Sequence, residues 1–228
     1  IDLFSKGEIN QALDAVQGLL KDYPNEPVLF NIKGACYADL GQLDVAVTNY
    51  KEAITIKPDY AKAHFNLAGS LHDLGQLETA VQSYQKAIEI DASYAEAYNN
   101  LGNVYQELKQ VDSAVQNYKR ALEIKPDYVA AQYSLGNTFM ELGQLEEAVK
   151  SYKAALKLKP DFAGAYNKLG SSLLELDQLD ESVRSYEAAL KHKPDYVEAI
   201  NNLGIAFYKL QQMDDAMKHY KRALALDP

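Results

Sequence analysis

What this chain lacks narrows it before any motif is read. It has a single cysteine, Cys36, so neither an intrachain disulfide nor a thiolate metal cluster is expected, and a reducing, cytoplasmic setting is favoured. No apolar run approaches the roughly 18 residues that a membrane-spanning helix needs, and no membrane insertion is expected. Basic residues are in the minority, with 23 Lys and Arg against 32 Asp and Glu and a net charge of -9. That balance argues against a nucleic-acid partner, which asks for Lys and Arg gathered on one face. The chain carries no HExxH, GxSxG, P-loop glycine run or CxxC, so no enzyme activity, metal or cofactor is expected. His64 falls on the core stripe, His72 on the opposite face of the same helix, and His192 and His219 far along the chain; Cys36 reads as a packing residue. Low-complexity segments are missing too, and 47% of the 228 residues are hydrophobic, enough for a sizeable core.

What is present is a period. The tetrapeptide KPDY stands at 57–60, 125–128 and 193–196, KPDF at 159–162, and DASY fills the remaining slot at 91–94. A phrase that returns at multiples of 34 residues is punctuation between structural repeats, because a catalytic motif is used once. The chain divides into a partial repeat, 1–26, and the blocks 27–60, 61–94, 95–128, 129–162, 163–196 and 197–228, read as a single array. Each block reads helix, short turn, helix, turn. The first turn is GQLD or GQLE, with KQVD, DQLD and QQMD as variants. Gly41, Gly75 and Gly143 suit a helix that ends in a left-handed residue. Asp44, Asp112, Asp180 and Asp214 are expected to cap the next helix. In KPDY the Lys suits a helix C-terminus and the Pro stops the helix. Asp59, Asp127, Asp161 and Asp195 are then expected as caps, with capping-box spacing in Ser93–Glu96 and Asp195–Glu198.

The apolar positions recur at spacings of three and four, the stripe of a helix. Leu67, Leu101, Leu135, Leu169 and Leu203 hold the seventh place of the repeat, and the eighth holds Gly34, Ala68, Gly102, Gly136, Gly170 and Gly204. On the second helix, Tyr50, Tyr84, Tyr118, Tyr152, Tyr186 and Tyr220 follow a small residue by four and precede an alanine by three. Such alternation of small and aromatic residues predicts close packing between antiparallel helices. Leu-Gly, then Tyr or Phe, then Ala, Tyr, Ala and Pro, in register over six blocks, resembles the tetratricopeptide repeat family across essentially the whole chain. The expected fold is all-α, with tandem helix-turn-helix repeats forming a right-handed superhelical solenoid of thirteen helices. Lys33, His64 and Gln132 depart from the family pattern.

The face opposite the core carries the functional candidates. Places two, six, nine and thirteen of the first helix lie together on it. Place thirteen reads Asp39, Asp73, Glu107, Glu141, Glu175 and then Lys209. Stacked helices are spaced on the order of 10 Å, too far for two carboxylates to share a metal or a proton, so this is a ladder of charge. Place six gives Asn66, Asn100 and Asn202; place nine gives Asn103 and Asn137; the flanking place five gives Asn99, Tyr133 and Asn167. In the family it resembles, first helices line a concave groove, so the resemblance implies that this stripe faces a peptide. An asparagine amide has a donor and an acceptor, and can pair with an extended backbone without reading its side chains. The place-six series is similar to the asparagine ladder in the repeat arm of O-linked N-acetylglucosamine transferases, interrupted here. The two-carboxylate clamp that holds chaperone tails is not matched, because Asn99 and Tyr133 stand where it wants Lys.

The expected function is a non-catalytic scaffold that binds an extended, basic or polar segment of a protein or peptide ligand. The alternative is the substrate-recruiting arm of a larger enzyme such as a glycosyltransferase or sulfotransferase, since the chain begins mid-repeat and stops at Pro228. Exposed apolar ends imply end-to-end self-association. An RNA-reading helical repeat asks for a basic groove and fails on charge.

Overall fold

In the computed structural model residues 8–227 are described, so the opening of the partial repeat, 1–7, and Pro228 lie outside the described residues. Among the described residues all regular structure is helical. Thirteen helices follow one another: α1 (Ile9–Asp22), α2 (Pro27–Asp39), α3 (Leu43–Ile56), α4 (Ala61–Asp73), α5 (Leu77–Ile90), α6 (Ala95–Glu107), α7 (Val111–Ile124), α8 (Val129–Glu141), α9 (Leu145–Leu158), α10 (Ala163–Glu175), α11 (Leu179–His192), α12 (Val197–Lys209) and α13 (Met213–Leu226). Among the described residues one comes from the partial block and two from each repeat, as expected. They fall into two compact units divided between Ile124 and Lys125. The first unit holds α1 and the hairpins α2–α3, α4–α5 and α6–α7; the second holds α8–α9, α10–α11 and α12–α13. Helices of 13 or 14 residues are marginal alone, so packing within and between hairpins must hold them. Among the described residues no helix is long and apolar enough to cross a membrane.

Inside each hairpin the turn depends on one residue in the left-handed region. Gly41, Gly75 and Gly143 have φ of 72°, 72° and 68°. The other hairpins reach the same conformation without glycine, at Lys109 (60°), Asp177 (58°) and Gln211 (62°). A glutamine follows in every block, and the geometry says why its position matters. Its backbone N–H closes the helix by donating five residues back, Gln42 to Tyr37 and Gln178 to Leu173, each at 2.8 Å. Its carbonyl then accepts the first bond of the next helix, from Ala46 and Ser182 respectively. One residue ends a helix and opens another. Gln42, Gln76, Gln144, Gln178 and Gln212 are therefore the N-caps. This corrects the expectation for Asp44, Asp112, Asp180 and Asp214, which sit within the first turn, where a negative charge still suits the helix N-terminus.

Between hairpins, Lys57 is the C-cap of α3, and the Tyr60 N–H bonds back to its carbonyl at 3.2 Å across a turn with Pro58 in second position. Tyr60, not Asp59, opens α4; Tyr94, Tyr128, Phe162 and Tyr196 stand likewise before α6, α8, α10 and α12. The caps expected at Asp59, Asp127, Asp161 and Asp195, and the boxes at Ser93 and Asp195, are corrected accordingly. The tetrapeptide has a further use. Its Lys ammonium lies over the aromatic ring three residues on, at 5.7 Å for Lys57 and Tyr60 and 4.7 Å for Lys193 and Tyr196. Where DASY replaces it, Asp91 Oδ1 accepts from the Ser93 N–H (2.9 Å) and hydroxyl (2.6 Å), so a side chain holds the turn in place of a proline ring.

The core of a hairpin is a tyrosine ring seated on a glycine. A Cβ at Gly34, Gly102, Gly136, Gly170 or Gly204 would stand 2.6–2.7 Å from the ring of Tyr50, Tyr118, Tyr152, Tyr186 or Tyr220. No side chain fits that gap, which is why place eight is small. Ala46 and Ala53, with their counterparts along the chain, stand four before and three after the tyrosine and are buried. Ser182 stands at one of these alanine positions and keeps its burial by donating to the Gly170 carbonyl at 2.8 Å. Where place eight is Ala68, the Tyr84 ring instead meets Phe65 edge-on at 5.7 Å.

Two outcomes follow from the seat. Gly170→Val is expected to lower stability by about 1–3 kcal/mol through overpacking. Gly18→Ala, where an added Cβ meets nothing within 4 Å, should raise it by roughly 0.5–1 kcal/mol. Urea midpoints check both, and a Gly170→Val midpoint equal to the parent's contradicts the seat. Burial also pushes the Tyr84 hydroxyl up to about 12, and raises Tyr50, Tyr152 and Tyr186. A tyrosine whose folded pKa exceeds its unfolded value of about 10 stabilises fully below that pH. The contribution is lost as pH rises toward about 12. Urea midpoints should therefore hold flat to about pH 9 and fall above about pH 10, with phenolate absorbance rising on unfolding. A midpoint that stays flat to about pH 12 would show these hydroxyls to be unburied.

Candidate functional site

Each unit has a groove between successive first helices. In the second unit, Asn137, Met140 and Glu141 of α8 and Lys168 and Glu175 of α10 line a cavity of about 340 Å³. In the first, Asn31, Ile32, Ala35, Ala38 and Asp39 of α2, with Lys62 and Asn66 of α4 and Tyr50 beneath, line one of about 380 Å³. Of the candidates named from the sequence, Asn66, Asn137, Glu141 and Glu175 are among these lining residues, together with a position it missed. Place twelve, Ala38 in one groove and Met140 in the other, follows place nine by three residues, and helical spacing alone could have found it.

The acidic series runs against local helix physics. Asp39, Asp73, Glu107, Glu141 and Glu175 are each exposed and each the last residue of a first helix. There the helix dipole favours a cation, and an acid costs about 0.3–1 kcal/mol. His72 Nε2 lies 2.7 Å from Glu107 Oε1, tying α4 to α6. Lys168, in the second-unit cavity, is drawn toward Glu198 of α12 at 3.5 Å.

The amides are half engaged from inside the protein. Asn66 Nδ2 donates to Asn31 Oδ1 at 2.9 Å between α2 and α4, and Asn202 Nδ2 donates to Asn167 Oδ1 at 3.2 Å between α10 and α12. Asn167 is 0% exposed and donates in turn to the Tyr196 hydroxyl at 3.4 Å. Asn99, 4% exposed, donates to Asn100 Oδ1 at 3.1 Å, and its own Oδ1 is buried with no partner among the described residues. Burial takes Asn99 and Asn167 out of the ligand-facing set, a correction to the expectation that all the amides face a groove. Tyr133 is half-buried, its ring against Phe162 (4.8 Å) and Tyr152 (5.9 Å). Asn103 and Asn137 are partly exposed, and each accepts from a seated tyrosine: Tyr118 O–H to Asn103 Oδ1 at 2.8 Å, and Tyr152 O–H to Asn137 Oδ1 at 2.7 Å.

Elsewhere the histidines have structural neighbours. His64 Nε2 lies 2.9 Å from the Pro58 carbonyl, and the His192 ring stacks on Tyr166. Among the described residues no group of three or more His, Cys, Asp or Glu is placed to hold a metal ion.

Short helical hairpins in tandem, each with a tyrosine seated on a small residue, define a helical-repeat protein. Family models described as TPR repeat match residues 34–75, 68–109 and 136–177, and models described as Tetratricopeptide repeat match 95–128, 117–150 and 167–228. The chain belongs to the tetratricopeptide repeat family. A stretch of 67 residues is 31% identical to the peroxisomal targeting signal receptor of Candida glabrata, covering 29% of this chain and 11% of the receptor. The chain thus spans about a tenth of the length of the curated relatives it matches. The C-terminal part of a TPR repeat-containing protein from Cytophaga hutchinsonii shares the fold at a TM-score of 0.79 and 20% identity, over 99% of this chain and 93% of that one. YrrB, described as a TPR protein with an unusual peptide-binding site, is 26% identical at a TM-score of 0.70, over 78% of this chain and 92% of that one.

The two halves of one amide pair should behave differently. Asn202→Ala leaves the fully buried Asn167 Oδ1 unpaired and is expected to cost about 1–3 kcal/mol, whereas Asn167→Ala removes that oxygen with its bonds and leaves only the partly exposed Asn202 and Tyr196 groups, which water can reach. An Asn202→Ala urea midpoint equal to the parent's would show Asn167 to be open to water and return it to the ligand-facing set.

Proposed function

We propose that the chain is a scaffold that binds a protein partner through an extended peptide segment, laid along the grooves between first helices and favouring Lys or Arg side chains. The carboxylates at the ends of successive first helices carry this reading. Each opposes the dipole of the helix it ends, and Glu141 and Glu175 line the same cavity beside an amide and a thioether. Met140 suits the aliphatic stem of a long basic side chain, whose charged head then meets the carboxylates. Asn137 adds a polar contact that any peptide backbone can use. The likeness to YrrB, described as having a peptide-binding site, and to a targeting signal receptor supports a peptide as the ligand.

A fluorescent probe, acetyl-Lys-Ser-Lys-Ser-Lys-Ser-Lys-Ser-amide, tests this. Its affinity should fall as salt rises, because exposed charges are screened beyond about 8–10 Å at physiological ionic strength. Glu141→Lys with Glu175→Lys should abolish the salt dependence and leave the fold at least as stable as the parent, since a cation suits a helix C-terminus. A control pair on second helices, Glu123→Lys with Lys157→Glu, should change neither. Equal losses in the two pairs would move the binding face away from the first-helix grooves.

A further inference from the structure

We infer that the protein's interior fixes which end of each groove amide is turned to the ligand: Asn103 and Asn137 turn their NH2 donors to it, and Asn66 its carbonyl acceptor. The inference rests on the peptide-groove reading above and deepens it. A solvent-facing asparagine can turn its amide over and offer either end. These cannot do so freely. Asn137 Oδ1 accepts the Tyr152 O–H at 2.7 Å, and the Tyr152 ring is fully buried on Gly136, so the hydroxyl cannot swing to follow a rotating amide. If the amide turned over, its NH2 would face that hydroxyl, which would then need another acceptor. The structure offers Met140 Sδ at 3.9 Å, a weak one. Asn103 repeats the arrangement with Tyr118 at 2.8 Å, above Gly102.

Asn66 is held in the opposite sense. Its NH2 is given to Asn31 Oδ1, and Asn31 is itself buried, so the carbonyl of Asn66 is the end left toward the first-unit cavity. An extended backbone alternates N–H and C=O groups along its length. Within the first unit, an acceptor on α4 and a donor on α6 match that alternation, so the grooves read backbone polarity as well as side-chain charge. Tyr118 and Tyr152 never touch the peptide. They are positioning residues, and removing only their hydroxyls should be felt in the groove.

Side-chain amide NMR of ¹⁵N-labelled full-length chain tests the orientation without any ligand. In Tyr152→Phe, which keeps the ring on its glycine, the Asn137 NH2 pair should shift, broaden and exchange faster with solvent, while the Asn103 pair stays put. Tyr118→Phe should do the reverse. An Asn137 pair unmoved in Tyr152→Phe, in a chain of unchanged helical circular dichroism, overturns the inference. Binding of the Lys-Ser probe supplies the second arm. Asn137→Ala and Tyr152→Phe should each weaken it roughly two- to tenfold, the range of one hydrogen bond. The double variant should be no weaker than Asn137→Ala, because the tyrosine acts through the amide. Additive losses overturn the positioning role. If the spectra show the lock but Asn137→Ala leaves the probe's affinity unchanged, the orientation stands and the peptide-groove reading falls.

Discussion

A tyrosine ring resting on a glycine is the interaction on which the rest of this protein depends. It sets how near the two helices of a hairpin can come, since an added Cβ would stand 2.6–2.7 Å from the ring. It buries an aromatic surface in helices too short to persist alone. Its far end matters as much. The hydroxyl runs past the seat toward the outer face of the first helix, where it meets Asn103 and Asn137. Core and groove are two ends of one side chain.

Two features break local rules, for different reasons. Lys109, Asp177 and Gln211 adopt a left-handed backbone that glycine would take without strain. The turn uses it to place the next glutamine where it both closes one helix and opens another. The acids that end the first helices are not required by a turn, although Glu107 also ties its helix to His72 of the first helix before it. They oppose the helix dipole, and Asp39, Glu141 and Glu175 line the two cavities.

Much of this was legible in the sequence, for physical reasons. A 34-residue period multiplies every weak signal, so helix number, hairpin pairing and the small–aromatic stripe could be read from spacing. The caps could not. Asp44 and Asp59 have suitable chemistry, but the turn bonds place Gln42 and Tyr60 at the helix starts, and which residue takes that place depends on backbone geometry that composition does not reveal. The site was legible as a stripe and illegible as a set of partners. Periodicity put Asn99, Asn103 and Asn167 on one face. Only their neighbours show that Asn99 and Asn167 are buried, whereas Asn103 is partly exposed and accepts from Tyr118. Place twelve was within reach of the same periodicity and passed over because Ala38, His72 and Met140 share no chemical type.

The link between seat and groove can be tested at the seat, leaving hydroxyl and amide untouched. The protein already contains one variant of it: with Ala68 and Gly69 at places eight and nine, the Tyr84 hydroxyl is bonded to Asn100 of the next repeat. The most direct measurement is therefore the Asn137 side-chain amide spectrum in Gly136→Ala. Displacing the Tyr152 ring should move the Asn137 NH2 signals while those of Asn103, whose seat is Gly102, stay in place. Asn137 signals identical to those of the parent, in a variant whose Tyr152 ring resonances have shifted, would contradict the coupling of core to groove.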